Sequence, residues 1–246
     1  MSMRRNEYAQ PVGEPVPDWS PRPLPAEVTL KGDFCRLEPL NADRHADELY
    51  AANRSGADQR DWTYMFAGPF EDPQDYRRYA EEAAASTDPR HYAVISVGDG
   101  MAVGTLSLMR QDPAHGVVEV GNVMFSPVMK RKPISTEAQF LAMRYVFEDL
   151  GYRRYEWKCD SLNAPSRKTA ERLGFTFEGI FRQAVVYKGR NRDTAWYSVI
   201  DTEWPAIERA FQAWLAPENF DDQGIQRRSL ADLRTAEAAG QRQRNS

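Results

Sequence analysis

EVGNVMFSPVMKRKPISTEA, residues 119–138, joins three kinds of chain in direct succession. Its opening residues complete an apolar run, 117–125, with strand character. Pro127 and the basic triplet Lys130, Arg131 and Lys132 then interrupt the pattern. From Thr136 a helix opens, because Ala138, Leu141, Ala142, Tyr145 and Leu150 follow the helical period and Gly151 stands where a C-terminal glycine stops it. A loop that runs into a helix N-terminus presents unpaired first-turn amides and the positive end of the helix dipole, which suits a bound pyrophosphate. Such a basic triplet is usually only solvated. Its position between strand and helix gives it a binding reading here. The amides at Ile134, Ser135, Thr136 and Glu137 would converge on the same anion.

Outward from this stretch the elements alternate. Apolar strands at 91–97, 102–110 and 117–125 are separated by hairpin signals at 98–100 and 112–116. Before them, 28–40 reads as a strand, and 42–53 and 72–86 as helices whose connecting loop carries Trp62, Tyr64 and Phe66. After the central helix, 155–159 is a short strand. Asn163, with Pro165 in the first turn, then caps a helix that buries Ala170 and Leu173 and ends at Gly174. Strand material at 175–181 and 183–200 surrounds a turn at 189–192. Trp204, Ile207, Phe211, Trp214 and Leu215 line one face of a last helix. This order implies an α+β fold, a mixed sheet covered by helices. Pro11, Pro15, Pro17, Pro21, Pro23 and Pro25 make 1–27 an extended arm, and the chain turns polar over 217–246 with at most a weak helix at 229–239. The domain is therefore expected at 28–216.

Composition closes several routes. With 41% hydrophobic and 11% aromatic residues the chain is globular. It has no apolar run of membrane length, and no apolar segment follows its basic N-terminus, so a cytoplasmic protein without a membrane partner is expected. Cys35 and Cys159 read as small apolar strand residues. His45, His91 and His115 are scattered, and no metal is expected. A net charge of −4 gives no signature of nucleic-acid binding, and the basic residues at 188–192 fit a hairpin tip.

Residues 119–138 resemble the most diagnostic stretch of the GCN5-related N-acetyltransferases, where an E-x-G strand passes through a proline into a phosphate-binding loop and a helix. NAPSRKTAERLGF, residues 163–175, is similar to the N-x-x-S-x-x-A-x-x-L-G-F helix of the RimJ/RimL branch, and FEGIFR follows at 177–182. The resemblance covers about residues 28–203. It implies a mostly antiparallel twisted sheet with a splayed parallel strand pair, and acetyl transfer from acetyl-CoA to a primary amine. It further implies that the backbone at Val123, Met124 and Phe125 contacts the pantetheine and thioester. By the same resemblance Asn163 bonds the pantetheine arm, Ser166 protonates the departing thiolate, and Trp62, Tyr64 and Phe66 shape the acceptor pocket. The loop departs from the family: there it resembles R-x-x-G-x-G/A, whereas Lys130, Pro133 and Ser135 stand here, so both small flexible residues are absent and Pro133 has no N–H to give.

Glu119 has a reading of its own. Period two puts it on one strand face with Gly121, Val123 and Phe125, where a carboxylate can take a proton from an amine; the plain alternatives are an exposed glutamate or a structural ion pair. The function expected is direct transfer in a ternary complex, with the α-amine of a peptide or protein N-terminus favoured over a lysine side chain. Small-molecule amines and a homodimer are left open. The competing reading is a non-catalytic CoA-binding or protein-interaction module on the same fold.

Overall fold

Every pair of neighbouring strands but one runs antiparallel in an eight-stranded sheet of order β1-β2-β3-β4-β5-β6-β8-β7. The computed structural model describes residues 4–56 and 58–244. Its strands are β1 (Leu30–Lys31), β2 (Cys35–Pro39), β3 (Arg90–Ser96), β4 (Ala102–Asp112), β5 (Val117–Phe125), β6 (Arg154–Asp160), β7 (Thr176–Tyr187) and β8 (Arg190–Ile200). The parallel pair is β5 and β6, joined by the crossover helix α3 (Pro133–Arg144). Short turns join the antiparallel neighbours β3 to β4, β4 to β5 and β7 to β8, whereas a parallel pair requires a long connection.

Two helices, α1 (Ala42–Arg54) and α2 (Pro73–Ala85), cover one face of the sheet; α3, α4 (Ala164–Leu173), α5 (Trp204–Leu215) and α6 (Leu230–Arg244) contribute to the core on the other. Strand alternation makes this possible. Val118, Val120, Tyr155, Trp157, Cys159, Ala195, Tyr197 and Val199 turn into the larger core with Phe140, Leu141 and Phe211 of the helices. Ala93 and Ile95 face the smaller core with Leu49, Trp62, Tyr76 and Ala80. Each of the larger aliphatic and phenylalanine side chains among them stabilises the fold by about 1.5–3 kcal/mol.

Several boundaries differ from the sequence expectation. The 28–40 strand is a tight hairpin, because the buried Glu137 carboxylate accepts backbone N–H groups from Asp33, Phe34 and Cys35 at 2.7–2.8 Å and draws the turn inward. Gly32 is required there, since a Cβ would lie 2.4 Å from the Glu137 carboxyl carbon. Helix α3 begins at Pro133, three residues before Thr136, because proline fits the first helical position. It passes into a π turn, Tyr145–Asp149, before Gly151 takes a φ of 64°. β7 runs unbroken past Arg182 by bulging at Gln183, and the hairpin turns on Lys188 and Gly189, whose φ values of 47° and 70° suit a tight β-turn. The polar C-terminal stretch ends in α6, which buries Leu230 and Leu233 and joins α5 through Arg209 and Glu237 at 2.7 Å. The proline-rich arm is tied down late: Trp19 Nε1 donates to Ala114 O, and the Ala26 backbone bonds the hydroxyls of Tyr145 and Tyr92. Residues 1–3 of the arm and 245–246 of the tail lie outside the described residues.

Removing the Glu137 carboxylate strands three backbone donors. Glu137→Ala is expected to cost about 3 kcal/mol or more, since hydrogen bonds to charged groups contribute about 1.5–3 kcal/mol each. Urea unfolding followed by fluorescence checks this, and Glu137→Gln should lose less.

Candidate active site

β5 and β6 pair only from Val117↔Arg154 to Val120↔Trp157. Beyond that point β5 stays with β4 (Thr105↔Met124, Gly104↔Phe125) and β6 stays with β8 (Cys159↔Ala195, Asp160↔Thr194). The strands therefore part, and the β5 backbone over 121–125 has no strand on its β6 side. A bulge fixes the point of departure. Asn122 takes a φ of 50°, which asparagine tolerates, and its Nδ2 donates to Ser107 Oγ, which itself donates to Gly121 O. Gly121 leaves room for the Met109 side chain, whose Sδ lies 2.2 Å from where a Cβ would stand. The opening brings Val123, Met124 and Phe125 to its edge, with Met124 itself buried in the smaller core. An extended chain bearing amide and carbonyl groups fits this unpaired edge as a strand would.

At the far end of the opening lies the loop before α3. Lys132 occupies the N-cap position and Pro133 the first helical one, where a missing N–H costs nothing. The earlier helix start changes the donor set. Ile134 keeps a free first-turn position, Ser135 turns both its N–H and its hydroxyl back to Lys132 O, and the amides of Thr136 and Glu137 fall within the helical ladder. Thr136 Oγ1 instead accepts from the Arg172 guanidinium at 3.1 Å, which brings a cation of α4 to the same helix end. Arg131, with a φ of 61°, and Lys132 are exposed. Lys130 is not free: its Nζ lies 2.5 Å from Asp61 Oδ2 of the α1–α2 loop.

Glu119 is 6% exposed, so it is not an exposed glutamate, and it takes part in an ion pair. Between Val118 and Val120 it turns away from the larger core onto the face shared by Glu156 and Lys158 of β6. Lys158 Nζ sits 2.9 Å from Glu119 Oε2 and 2.6 Å from Glu156 Oε2, and 3.7 Å from the centroid of the Trp196 ring. Lys158 and Glu119 thus form a buried ion pair. Burial pushes the Glu119 carboxyl up from its ordinary value; Lys158 and then Arg110, 3.6 Å away, pull it back. The chain of charges continues through Arg154 to Glu178, which Ser198 also bonds.

On the opposite face, Asn163 caps α4 by accepting from the Ser166 N–H. Trp157 Nε1 donates to Ser166 Oγ at 3.0 Å, and because an indole only donates, the serine hydroxyl hydrogen is left to give elsewhere. Cys159 is buried nearby and burial pushes its thiol up, which opposes a thiolate nucleophile. No group of His, Cys, Asp or Glu side chains suited to hold a metal ion occurs among the described residues.

The aromatic loop spans the opening. Tyr64 donates to Leu162 O, just after β6, while Lys188 of the β7–β8 turn donates to Trp62 O and Ala67 O, and Arg190 donates to Thr63 O. The three aromatic residues then divide. Trp62 is buried against Phe70 in the smaller core, Tyr64 is half-buried, and Phe66 is exposed, its ring 5.5 Å from Tyr187 with the Arg192 guanidinium over it. Beneath them Tyr187 donates to the buried Asp160 at 2.8 Å. A separate polar cleft of about 730 Å³, lined by Glu38, Arg44, Glu81, Arg90 and His91, lies toward the β2–β3 side of the sheet. Sequence reading missed Lys158, Glu156, Asp61 and Arg172. The alternation of charged Glu156 and Lys158 with apolar residues in YEWKC, 155–159, was the one available signal.

The sequence model of the Acetyltransferase (GNAT) domain matches residues 35–176. The crystal structure of a GCN5-related N-acetyltransferase from Brucella melitensis superposes with a TM-score of 0.87 at 51% identity, covering 89% of this chain and 100% of that one. A GNAT-family structure from Chromobacterium violaceum gives a TM-score of 0.74 at 39% identity, with 80% and 98% covered. YdaF of Bacillus subtilis (strain 168), by its name a candidate ribosomal N-acetyltransferase, is 30% identical over 174 residues, 68% of this chain and 90% of that protein.

The clamp on the aromatic loop is directly testable. Replacing Lys188 and Arg190 together by alanine should raise hydrogen exchange at the amides of 62–70 by about tenfold or more, because charged donors to backbone carbonyls are lost. Amides of β5 and β6 should exchange as before.

Proposed function

The chain belongs to the acetyl-CoA-dependent GNAT acetyltransferases, and from that premise we propose that it acetylates a primary amine by direct attack within a ternary complex, the amine being the α-amine of a peptide or protein N-terminus. The observation that carries this reading is the buried Glu119 carboxylate beside the parted strands, on the face over which the aromatic loop closes. Acetyl-CoA supplies the thioester. The chain's part is to lay the pantetheine along 121–125, hold the pyrophosphate at Ile134 with Arg131, Lys132 and Arg172, and handle two protons. Glu119 takes one from the amine nitrogen as the C–N bond forms and the C–S bond breaks. Ser166 Oγ–H gives one to the leaving sulfur.

Proton energetics support the choice of acceptor. An α-amine with an ordinary pKa of about 8 is about one-tenth neutral near pH 7, whereas a lysine at about 10.4 is almost wholly charged. A single carboxylate raised by burial is an adequate base for the former. Tyr64 and Phe66 offer apolar surface for the first side chains of a peptide. The name carried by YdaF points toward ribosomal proteins as a substrate class.

Glu119→Gln and Ser166→Ala are each expected to lower kcat by about a hundredfold or more, the range of general acid–base catalysis, with acetyl-CoA affinity retained. Wild-type turnover in both contradicts the assignment. Peptides blocked separately at the α-amine and at lysine identify the acceptor by mass spectrometry: product is expected only when the α-amine is free, and acetylation confined to lysine overturns the α-amine reading.

A further inference from the structure

Lys158 belongs to no motif and stands on β6 one residue past the last β5–β6 pair. Its side chain is 6% exposed, so its charge is taken out of water. Burying an ammonium costs several kcal/mol unless it is well paired, and three groups surround this one: Glu119 from β5, Glu156 from β6 and the ring of Trp196 from β8. Glu119 and Glu156 are register partners across the parallel pair, a juxtaposition of like charges that is unfavourable without a cation between them. Glu156 has a second cation in Arg154, whose Nε is 2.7 Å away and which also grips Glu178 of β7. Glu119 has only the exposed Arg110 of β4, at 3.6 Å. The dependence on Lys158 is thus unequal: Glu156 keeps a partner without it, and Glu119 keeps almost none.

We propose that Lys158 is a positioning residue for acetyl transfer, its ammonium holding the Glu119 carboxylate ionised and turned toward the parting of β5 and β6. This rests on the reading of Glu119 as the base. A base must be empty of its proton before the amine arrives. Burial disfavours the charged form of Glu119, and the ammonium opposes that. The ammonium sits on Oε2, which is itself shut off from solvent, so Lys158 stabilises the charge there and Oε1, the oxygen nearer Gly121, is the one to take a proton from the amine. Glu156 divides the attention of the same ammonium, so it sets how strongly Glu119 is held.

The test is a carbon-13 NMR titration of the full-length protein labelled at glutamate carboxyls, with the Glu119 resonance assigned by its loss in Glu119→Gln. In Lys158→Met the Glu119 midpoint should rise by about one pH unit or more, the size expected for losing an opposite charge within 4 Å. Lys158→Arg should leave it near the wild-type position. Glu156→Gln should move it down, since the ammonium then serves Glu119 alone. Loss of the like charge at Glu156 contributes to that fall as well, so where Lys158→Met fails to fold the double variant Glu156→Gln/Lys158→Met decides the matter: its Glu119 midpoint should stand above that of Glu156→Gln, and equal midpoints overturn the proposal. The acid limb of kcat against pH should follow the same order. A Glu119 midpoint unmoved in Glu156→Gln, or activity lost in Lys158→Met equally at every pH with the midpoint unchanged, overturns the proposal. Failure of the base assignment is separable, because it shows as undiminished turnover in Glu119→Gln whatever the titrations give.

Discussion

Beyond Val120 and Trp157 the two parallel strands no longer pair, because the bulge at Asn122 carries β5 off with β4 while β6 continues with β8, and the rest of the site follows from that parting. A sheet cannot leave backbone donors and acceptors facing an apolar void. The unpaired edge at 121–125 therefore opens to the surface, and the bulge at Asn122 turns it there. Every functional candidate is arranged about this opening: α3 begins at its far end, α4 caps one side with Ser166, and the α1–α2 loop bridges the other.

The buried charges near the opening are costly, and their arrangement shows what the cost sustains. Glu119, Lys158, Glu156, Arg154 and Glu178 form a continuous alternation of sign from the parted strands to the edge of the sheet. Such a cluster is weak evidence for stability, because well-packed apolar side chains of similar volume often do as well. Its place beside the opening, on the face closed by Tyr64 and Phe66, is what supports the proposed chemical use. The Lys130–Asp61 pair ties the loop before α3 to that same aromatic loop.

Much of this was legible in the residues. The span 117–125 of β5 was read to the residue, because hairpin signals bound it and its apolar run has one meaning. Asn163 and Gly174 marked α4 at both ends through local cap chemistry. What could not be read depends on contacts distant in sequence. The 28–40 strand folds into a hairpin because of Glu137, about a hundred residues away, a link that no local pattern encodes. The helix start moved to Pro133 because the proline was weighed as a missing donor when its helical φ counted for more. Likewise Lys158 became significant only once the register set Glu119 beside Glu156.

Hydrogen exchange measured with and without acetyl-CoA tests the central claim most directly. The account predicts that the donor slows exchange at the amides of Val123, Met124 and Phe125 and at the start of α3, around Ile134, while the cleft by Arg44 and Arg90 is unaffected. Protection confined to that cleft, with 123–125 exchanging as in the free protein, would contradict the placement of the donor between the parted strands.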